Sequence, residues 1–207
     1  MNIVILAPSG GGKGTTAAFI VRDFNLKHIS SGDIFRDNVK RETELGLRVK
    51  GYINRGEWVP DSVVVDVIMD RLSQPDCENG VILDGTPRTL QQAIALDNSM
   101  TIHASIELDV DDETVIARLG GRKTCTMCNA VQKGGSSCYV CDGELYIRAD
   151  DTDELIKKRL AAYHEFVQPL REYYEKTDRH IRVRISSTDK PEFVYEQIKS
   201  RLDNISR

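Results

Sequence analysis

Residues 3–15 read IVILAPSGGGKGT, and this stretch decides the fold. It opens on four apolar residues, passes through a run rich in glycine, and leads into apolar residues at helical spacing over residues 17–24. Such an order is typical of a buried strand, a tight loop and an amphipathic helix. The sequence therefore predicts a strand–loop–helix unit over residues 3–24.

The loop of this unit also has the composition of a phosphate-binding loop. Glycines let consecutive backbone N–H groups converge on one phosphate, the helix N-terminus adds partial positive charge, and Lys13 can reach the outer phosphates. The alternative is a flexible turn with a solvent-exposed lysine, but the position directly after a strand favours phosphate binding. The predicted phosphate-binding residues are Gly10, Gly11, Gly12, Lys13, Gly14 and Thr15.

The loop departs from the pattern G-x-x-x-x-G-K-[ST] at two positions. Ala7 replaces the first glycine, and Gly14 stands where a hydroxyl residue should follow the lysine. Without that hydroxyl, Mg²⁺ depends more on phosphate oxygens, water and an acidic residue elsewhere. Asp84, at the end of an apolar run, is the predicted partner of Mg²⁺ through water.

Further apolar runs and helical patterns alternate along the chain. Alternation of this kind predicts an α/β fold in which helices cover both faces of a parallel sheet. Asp151 resembles the first residue of a capping box for the longest helix, and Pro169 should kink that helix. The predicted strands are residues 3–6, 81–83, 104–108 and 181–185, and the predicted helices include residues 63–72, 90–96, 113–119, 152–174 and a last helix from Pro191.

Four of the five cysteines form the pattern C-x2-C-x9-C-x2-C between residues 125 and 141. Two such pairs can present four thiolates in a tetrahedron, which suits a structural zinc ion better than two disulfides or a redox pair. Cys77 stands apart and is predicted to be a small, partly buried apolar residue. The predicted zinc ligands are Cys125, Cys128, Cys138 and Cys141.

Composition excludes several broad classes. The 207 residues are 40% hydrophobic and 29% charged, with a net charge of −4, so neither a membrane surface nor nucleic acid is the expected partner. No apolar run approaches the length of a membrane span, and the N-terminal residues do not resemble an export signal. We expect a cytoplasmic monomer with one core and small insertions.

Taken together, the motifs resemble the adenylate kinase family. The matching motifs are Lys13-Gly14-Thr15, Ser31-Gly32-Asp33, residues 84–89 (DGTPRT) with Gln92, and an insert that bears cysteines. They occur in the family's order and cover essentially the whole chain. The resemblance implies a P-loop NTPase-like parallel five-stranded sheet flanked by helices, with a helical AMP-binding insert and a small zinc-bearing lid.

The resemblance also implies a reaction and a division of the chain. The reaction is the reversible transfer of a phosphoryl group from Mg-ATP to AMP, which yields two ADP, with Mg²⁺ bound to ATP and structural Zn²⁺ in the lid. The core corresponds to residues 1–29, 60–119 and 151–207, the AMP-binding segment to 30–59, and the lid to 120–150. The AMP phosphate is already largely a dianion at neutral pH, so no general base is required.

The same resemblance assigns the remaining site residues. Arginine binds phosphate oxygens in pairs, so arginines at the family's positions are expected to neutralise the transferred group. Asp150 and Asp151 are expected to engage these arginines when the lid closes, and Asp33 suits either a helix cap or a functional role. The catalytic set is Lys13, Arg88, Arg122, Arg148 and Arg159; the ATP set adds Arg118, Arg122 and Asp189 to the loop; the AMP set is Ser31, Arg36, Glu57, Trp58, Val59, Gly85, Arg88, Gln92, Arg148 and Arg159.

The chain also departs from the family pattern. Ala7 and Ser9 replace glycine and proline of the loop, and Thr86 replaces the phenylalanine of Asp-Gly-Phe-Pro-Arg. The change at Thr86 should alter the affinity for the acceptor or the closure of the domains.

Two alternative functions stay open: a UMP/CMP or other nucleoside monophosphate kinase, and a nucleic-acid-binding protein with a zinc module switched by ATP. Lys133 is the only basic residue between Cys125 and Cys141, which disfavours the second alternative.

Overall fold

The computed structural model describes residues 1–205 of the chain. Its strands are β1 (Ile3–Leu6), β2 (Lys27–Ser30), β3 (Val81–Asp84), β4 (Ala104–Val110), β5 (Arg122–Cys125), β6 (Val131–Lys133), β7 (Leu145–Tyr146) and β8 (His180–Ile185). Its helices are α1 (Lys13–Phe24), α2 (Ser31–Lys40), α3 (Glu44–Asn54), α4 (Asp61–Leu72), α5 (Leu90–Ser99), α6 (Asp112–Leu119), α7 (Asp153–Glu175) and α8 (Pro191–Ile205). A short 3-10 turn covers Pro75–Cys77.

A five-stranded sheet in the order β2-β3-β1-β4-β8 forms the centre of the fold. Every neighbouring pair is parallel, and β1 lies between β3 and β4, with Ile3 opposite both Ile82 and Ala104. Because all the strands run in the same direction, their carboxyl ends meet at one edge of the sheet. The predicted fold class, a parallel five-stranded α/β sheet flanked by helices, is confirmed.

The alternation of side chains along β1 divides the core into two layers. Successive residues of a strand point to opposite faces. Ile3 and Ile5 accordingly pack with residues of α1, α7 and α8, whereas Val4 and Leu6 pack with residues of α4 and α5. The four side chains are almost completely buried. A strand buried on both faces reads as a continuous apolar run, which is why β1 could be recognised in the sequence.

The boundaries of the strands and helices predicted from apolar patterns are correct to within a few residues, but β2 and the three strands β5, β6 and β7 were not predicted. β2 was not located, because Lys27–Ser30 is a half-exposed edge strand of mixed polarity. The cap predicted at Asp151 is wrong: Thr152 caps α7 by accepting the N–H of Leu155, and the Asp151 carboxylate is paired with Arg122 instead. Pro169 lies inside α7, and the helix continues through it.

Two insertions interrupt the sheet-forming pattern. After β2, the helices α2 and α3 pack against each other between residues 31 and 54. Between α6 and α7, a three-stranded antiparallel sheet in the order β6-β5-β7 carries the cysteines. Within residues 1–205, no helix is long and apolar enough to cross a lipid bilayer.

A charged cluster is buried between β4, α7 and β8. The Glu107 side chain is 1% exposed and accepts hydrogen bonds from Arg171 Nε at 2.8 Å and from His180 Nε2 at 3.0 Å. Burial opposes ionisation of Glu107, but the hydrogen bonds from Arg171 and His180 outweigh it and lower its pKa to about 2. The cluster therefore holds α7 against the sheet with a carboxylate that stays ionised.

The low pKa of Glu107 predicts a specific dependence of stability on pH. The pKa of an unfolded glutamate is about 4.3. The ionised Glu107 carboxylate therefore stabilises the folded protein above that pH, and this stabilisation is lost as the pH falls toward about 2. In Glu107→Gln, Arg171 loses its buried counter-charge, and we expect the free energy of unfolding at pH 7 to fall by about 1–3 kcal/mol. Urea unfolding measures this difference.

The difference between the wild type and Glu107→Gln should shrink as the pH is lowered from about 4.5 to about 2. Asp109→Asn is the matched control. Like Glu107, Asp109 lies on β4 and pairs with an arginine, here Arg182 of β8, but its side chain is 34% exposed. It should cost less than about 1 kcal/mol. A difference for Glu107→Gln that does not depend on pH would contradict this description of the cluster.

Candidate functional site

The glycine loop turns sharply between β1 and α1. Gly12 stands at φ +99°, a backbone conformation that L side chains rarely adopt, and it begins α1 without a side-chain cap. The N–H of Gly11 donates to the carbonyl of Pro8 at 2.9 Å. Because the first N–H groups of α1 have no side-chain cap, they remain available to an anion at the helix N-terminus.

Lys13 lies inside this loop. Its Nζ donates to the carbonyls of Ala7 and Pro8, both at 2.9 Å. Burial lowers the pKa of Lys13 to about 8; Asp84 opposes the decrease, and the charges of Arg88 and Arg159 add to it. The ammonium group is therefore desolvated, with the Asp84 carboxylate and several arginines around it.

A first cavity opens between the two-helix insertion and the carboxyl end of the sheet. Its lining includes every residue that the sequence assigned to AMP except Arg148. These residues come from three separate segments of the chain. Gly85 stands at φ +81°, and a Cβ atom there would lie 2.7 Å from Ser31 Oγ. The lining residues are Ser31, Gly32, Phe35, Arg36, Ile53, Gly56, Glu57, Trp58, Val59, Val64, Gly85, Arg88, Thr89, Gln92, Asp150 and Arg159.

A second cavity lies between the glycine loop and α7. Lys13, Arg88 and Arg159 supply its cationic side, and aromatic and aliphatic side chains supply the rest. It shares Trp58, Gly85, Arg88 and Arg159 with the first cavity, so the two adjoin at these residues. The lining residues are Ile5, Leu6, Ala7, Pro8, Ser9, Lys13, Trp58, Gly85, Pro87, Arg88, Arg159, Tyr163, Phe166, Val167 and Leu170.

Most of the predicted arginines are held by a neighbouring oxygen. Their partners come from α2, from β5 and from the two acidic residues that precede α7. The pairs are Arg36 Nη2 with Asp33 Oδ1 at 2.5 Å, Arg122 Nε with Asp151 Oδ2 at 2.7 Å, Arg148 Nε with Thr124 Oγ1 at 2.9 Å, and Arg159 Nη1 with Asp150 Oδ2 at 2.8 Å. Arg159 also donates to Ser9 Oγ of the glycine loop.

The arginines repel one another across the two cavities. Burial, followed by repulsion from Arg159 and from Arg36, lowers the pKa of Arg88 to about 10. Burial and repulsion from Arg36 and Arg122 lower the pKa of Arg148 to about 10 as well. A phosphate group between these cations would relieve the repulsion, so the arrangement favours polyanions.

Gln92 has partners that the sequence did not reveal. Its Oε1 accepts the backbone N–H of Arg88 at 2.7 Å, and its Nε2 donates to Asp61 Oδ1 at 2.7 Å. Thr89 Oγ1 donates to the other oxygen of Asp61, also at 2.7 Å. One N–H and one lone pair of the Gln92 amide remain for an adenine edge.

Asp84 fits the predicted role of a Mg²⁺ partner. Burial opposes ionisation of Asp84, but the adjacent His28 imidazole and the charges of Lys13 and Arg88 outweigh it and lower its pKa. Its Oδ2 lies 3.5 Å from His28 Nε2. An ionised carboxylate beside the glycine loop is what a hydrated Mg²⁺ ion between protein and phosphates requires.

Several predicted residues lie outside both cavities. Arg118 lies near the glycine loop, since a Cβ atom on Gly12 would be 4.0 Å from Arg118 Nη1. Asp189 closes its own turn, because its Oδ2 accepts the N–H of Ser186. Asp33 is not the cap of α2, because Ser30 Oγ accepts the N–H of Asp33. Thr86 is buried, lines neither cavity, and its hydroxyl makes no hydrogen bond within residues 1–205.

Asp150, which was expected to engage the arginines, pairs with Arg159 and lines the first cavity. The sequence left two contributors unrecognised: Asp61, which organises Gln92 and Thr89, and Phe166, which lines the second cavity. Asp61 begins α4, where an acidic residue is common in any helix, so nothing marked it as part of a site. Phe166 lies outside the apolar stripe of α7. Their roles depend on contacts between segments far apart in sequence.

The four cysteines of the small sheet form one cluster. Their sulfur atoms all lie within 4.8 Å of one another, and none is in a disulfide. Cys125 and Cys141 are 3.5 Å apart and Cys128 and Cys138 are 3.6 Å apart, close to the spacing of sulfurs around a tetrahedral Zn²⁺ ion. The donor set fits a closed, structural metal site.

Sequence comparison yields relatives over most of the chain. A family model described as adenylate kinase matches residues 5–179. The chain is 45% identical over 188 residues to an adenylate kinase of Agathobacter rectalis, which covers 85% of this chain and 88% of the relative. It is 46% identical over 188 residues to one of Methanocella arvoryzae, with 85% and 87% covered, and 38% identical to one of Clostridium tetani over the full length of both.

The cysteine cluster leads to a prediction about metal content and stability. We expect the purified chain to carry about one equivalent of zinc or a similar thiophilic metal, because four convergent thiolates bind such ions tightly. Cys141→Ser should lower the metal content well below one equivalent and lower the melting temperature. Elemental analysis and thermal unfolding provide the two measurements.

Cys77→Ser is the matched control, because Cys77 is buried near Arg71 and outside the cluster. It should retain the metal. Removal of the metal with an unchanged melting temperature would show that the cluster does not stabilise the small antiparallel sheet.

Proposed function

The chain belongs to the adenylate kinase family, and we propose that its two adjoining cavities bind the two nucleotides of that family's reaction end to end. The enzyme is an ATP:AMP phosphotransferase, which transfers a phosphoryl group reversibly from Mg-ATP to AMP and yields two ADP. The observation that carries the proposal is the convergence of Arg36, Arg88 and Arg159 on the first cavity, beside Lys13 in the second.

The first cavity is proposed to bind AMP. Arg36 and Arg88 would bind its phosphate, since paired guanidinium N–H groups match two phosphate oxygens. Gln92 would bind the adenine edge with the amide groups that Asp61 and Arg88 leave free. Ser31, Gly85 and the backbone near Glu57, Trp58 and Val59 complete the proposed pocket.

The glycine loop is proposed to bind ATP. The N–H groups at the start of α1 and the Lys13 ammonium would hold its β- and γ-phosphates. Arg118 lies beside Gly12 and would contact the nucleotide next to the loop. The backbone of the loop around Asp189 is proposed to contact the ATP base, while the Asp189 side chain closes its own turn by accepting the N–H of Ser186.

Charge neutralisation and alignment are proposed to supply the catalysis. The AMP phosphate is a dianion at neutral pH and can attack without a base. Lys13, Arg88, Arg122, Arg148 and Arg159 would balance the charge that spreads over the transferred group in an in-line displacement. Mg²⁺, held near Asp84 through water, would neutralise the ATP phosphates when bound.

Residues 120–150 are proposed to act as a zinc-bearing lid, residues 30–59 as the AMP segment and the remainder as the core. Lys40 Nζ of α2 donates to the carbonyl of Thr126 in the lid at 3.1 Å, and Arg122 pairs with Asp151 at the start of α7. These contacts support a closed arrangement that excludes water, which would otherwise compete with AMP for the phosphoryl group. Zinc would stiffen a lid too small for a core of its own.

The alternatives have less support. The matched relatives are adenylate kinases, which argues against UMP/CMP kinase activity as the principal function. An assay of several nucleoside monophosphates with Mg-ATP would separate the two activities.

The cytoplasm is the proposed location, since a thiolate site suits a reducing compartment. The monomeric state and the absence of nucleic-acid binding remain predictions.

Lys13→Ala tests the phosphate loop. We expect kcat to fall by at least about 100-fold, as for the loss of a preorganised charge at the transferred group. The fold should be retained, because the partners of Lys13 within the protein are two loop carbonyls. Lys157→Ala, which removes an exposed lysine of α7, is the control. An activity of Lys13→Ala within threefold of the control would refute the assigned role.

Arg88→Ala tests the acceptor site. We expect KM for AMP to rise about 10–100-fold, with a much smaller change in KM for ATP, because charge-assisted bonds to one phosphate are lost. Arg88→Lys should recover only part of the loss, since lysine lacks the planar fork. Arg184→Ala, at an exposed position of β8, serves as the control. Equal changes in both KM values would contradict the assignment of Arg88 to AMP.

A further inference from the structure

Arg88 differs from four other arginines of the site in how it is held. Arg36, Arg122, Arg148 and Arg159 each donate to a side-chain oxygen. Within residues 1–205, the Arg88 guanidinium makes no side-chain hydrogen bond and no ion pair. Only its backbone N–H is bonded, to Gln92 Oε1. The guanidinium is half-buried, and its five N–H donors have no partner within the described residues, so it needs another source of stabilisation.

That source is the indole ring of Trp58. The guanidinium carbon of Arg88 lies 4.2 Å from the ring centroid, well within the range of a cation–π interaction. The indole contacts the edge of Phe166 on α7 at a centroid distance of 6.3 Å. Its Nε1 is buried and makes no hydrogen bond within the described residues, so packing alone sets its orientation.

The segment that carries Trp58 is itself anchored to α7. Glu57 accepts from Arg55 Nε at 2.8 Å and pairs with Lys158 Nζ at 3.4 Å. A Cβ atom on Gly56 would lie 3.2 Å from Leu155 Cδ2, which shows how closely the backbone approaches the helix. The ring is therefore held at a fixed place at the junction of the two cavities, both of which it lines.

We propose that Trp58 is a positioning residue for the acceptor phosphate, acting by holding the Arg88 guanidinium face-on in the orientation that binds the 5′-phosphate of AMP. This inference rests on the proposed function, in which Arg88 binds that phosphate. A carboxylate in place of the indole would occupy the N–H groups of Arg88 and repel the phosphate. An aromatic face stabilises the cation and leaves all its donors free.

The proposal separates phosphate binding from base binding. Trp58→Leu removes the π face and should weaken AMP binding about tenfold, the effect of losing a desolvated cation–π contact. Trp58→Phe keeps a weaker face and should lose about threefold. Adenosine has no phosphate, so its affinity should stay within twofold in both variants. Isothermal titration calorimetry measures the two ligands under the same conditions.

Two further variants complete the test. Tyr52→Leu is the matched control, because it removes a cation–π pair with Arg55 in the same segment but lines neither cavity. It should leave the affinity for AMP unchanged. In an Arg88→Ala background, Trp58→Leu should cause no further loss, since both substitutions remove one interaction. Thermal unfolding followed by circular dichroism establishes that each variant is folded.

The outcomes distinguish this inference from the proposed function. If Trp58→Leu leaves AMP affinity unchanged, or weakens AMP and adenosine equally, Trp58 does not act through Arg88 and the inference fails. Additive losses in the double variant would also overturn it. If Arg88→Ala itself binds AMP with wild-type affinity, the failure lies in the proposed function, because Arg88 is then not a phosphate ligand.

Discussion

The structure depends on one electrostatic constraint: several cations are buried close together with too few carboxylates to balance them. Burial and mutual repulsion lower the pKa values of Lys13, Arg88, Arg148 and Arg159. A cluster of this kind destabilises the folded chain unless other interactions hold it in place. Phosphate groups that bind between the cations relieve this repulsion. The free energy released in this way contributes to the affinity for nucleotides.

The rest of the fold supplies the forces that hold this cluster. The parallel sheet places the glycine loop after β1 and the Asp84 loop after β3 at the same edge. The long helix α7 contributes Arg159 and Phe166 to the site and is tied to the sheet by the buried Glu107 cluster. The small antiparallel sheet region and the two-helix insertion add Arg122, Arg148 and Arg36 to the set of charges.

Much of this could be predicted from the sequence, for identifiable reasons. Buried strands such as β1 read as continuous apolar runs, and the glycine loop and the two cysteine pairs are local motifs. The edge strand β2 was missed because Lys27–Ser30 has no apolar run. Partners distant in sequence were also missed: Thr152 rather than Asp151 caps α7, Asp61 holds Gln92, and Trp58 lies against Arg88. Nothing local in the sequence indicates such contacts.

The most direct test of this electrostatic constraint is the number of protons taken up when ATP binds. Because its pKa is lowered to about 8, Lys13 is partly neutral at pH 8.5, whereas the phosphates of ATP are ionised. Calorimetry at pH 8.5 in two buffers of different ionisation enthalpy measures the uptake. A net uptake that disappears in Lys13→Ala is the predicted result. No uptake, or a release of protons, would show that the cations are already balanced within the protein.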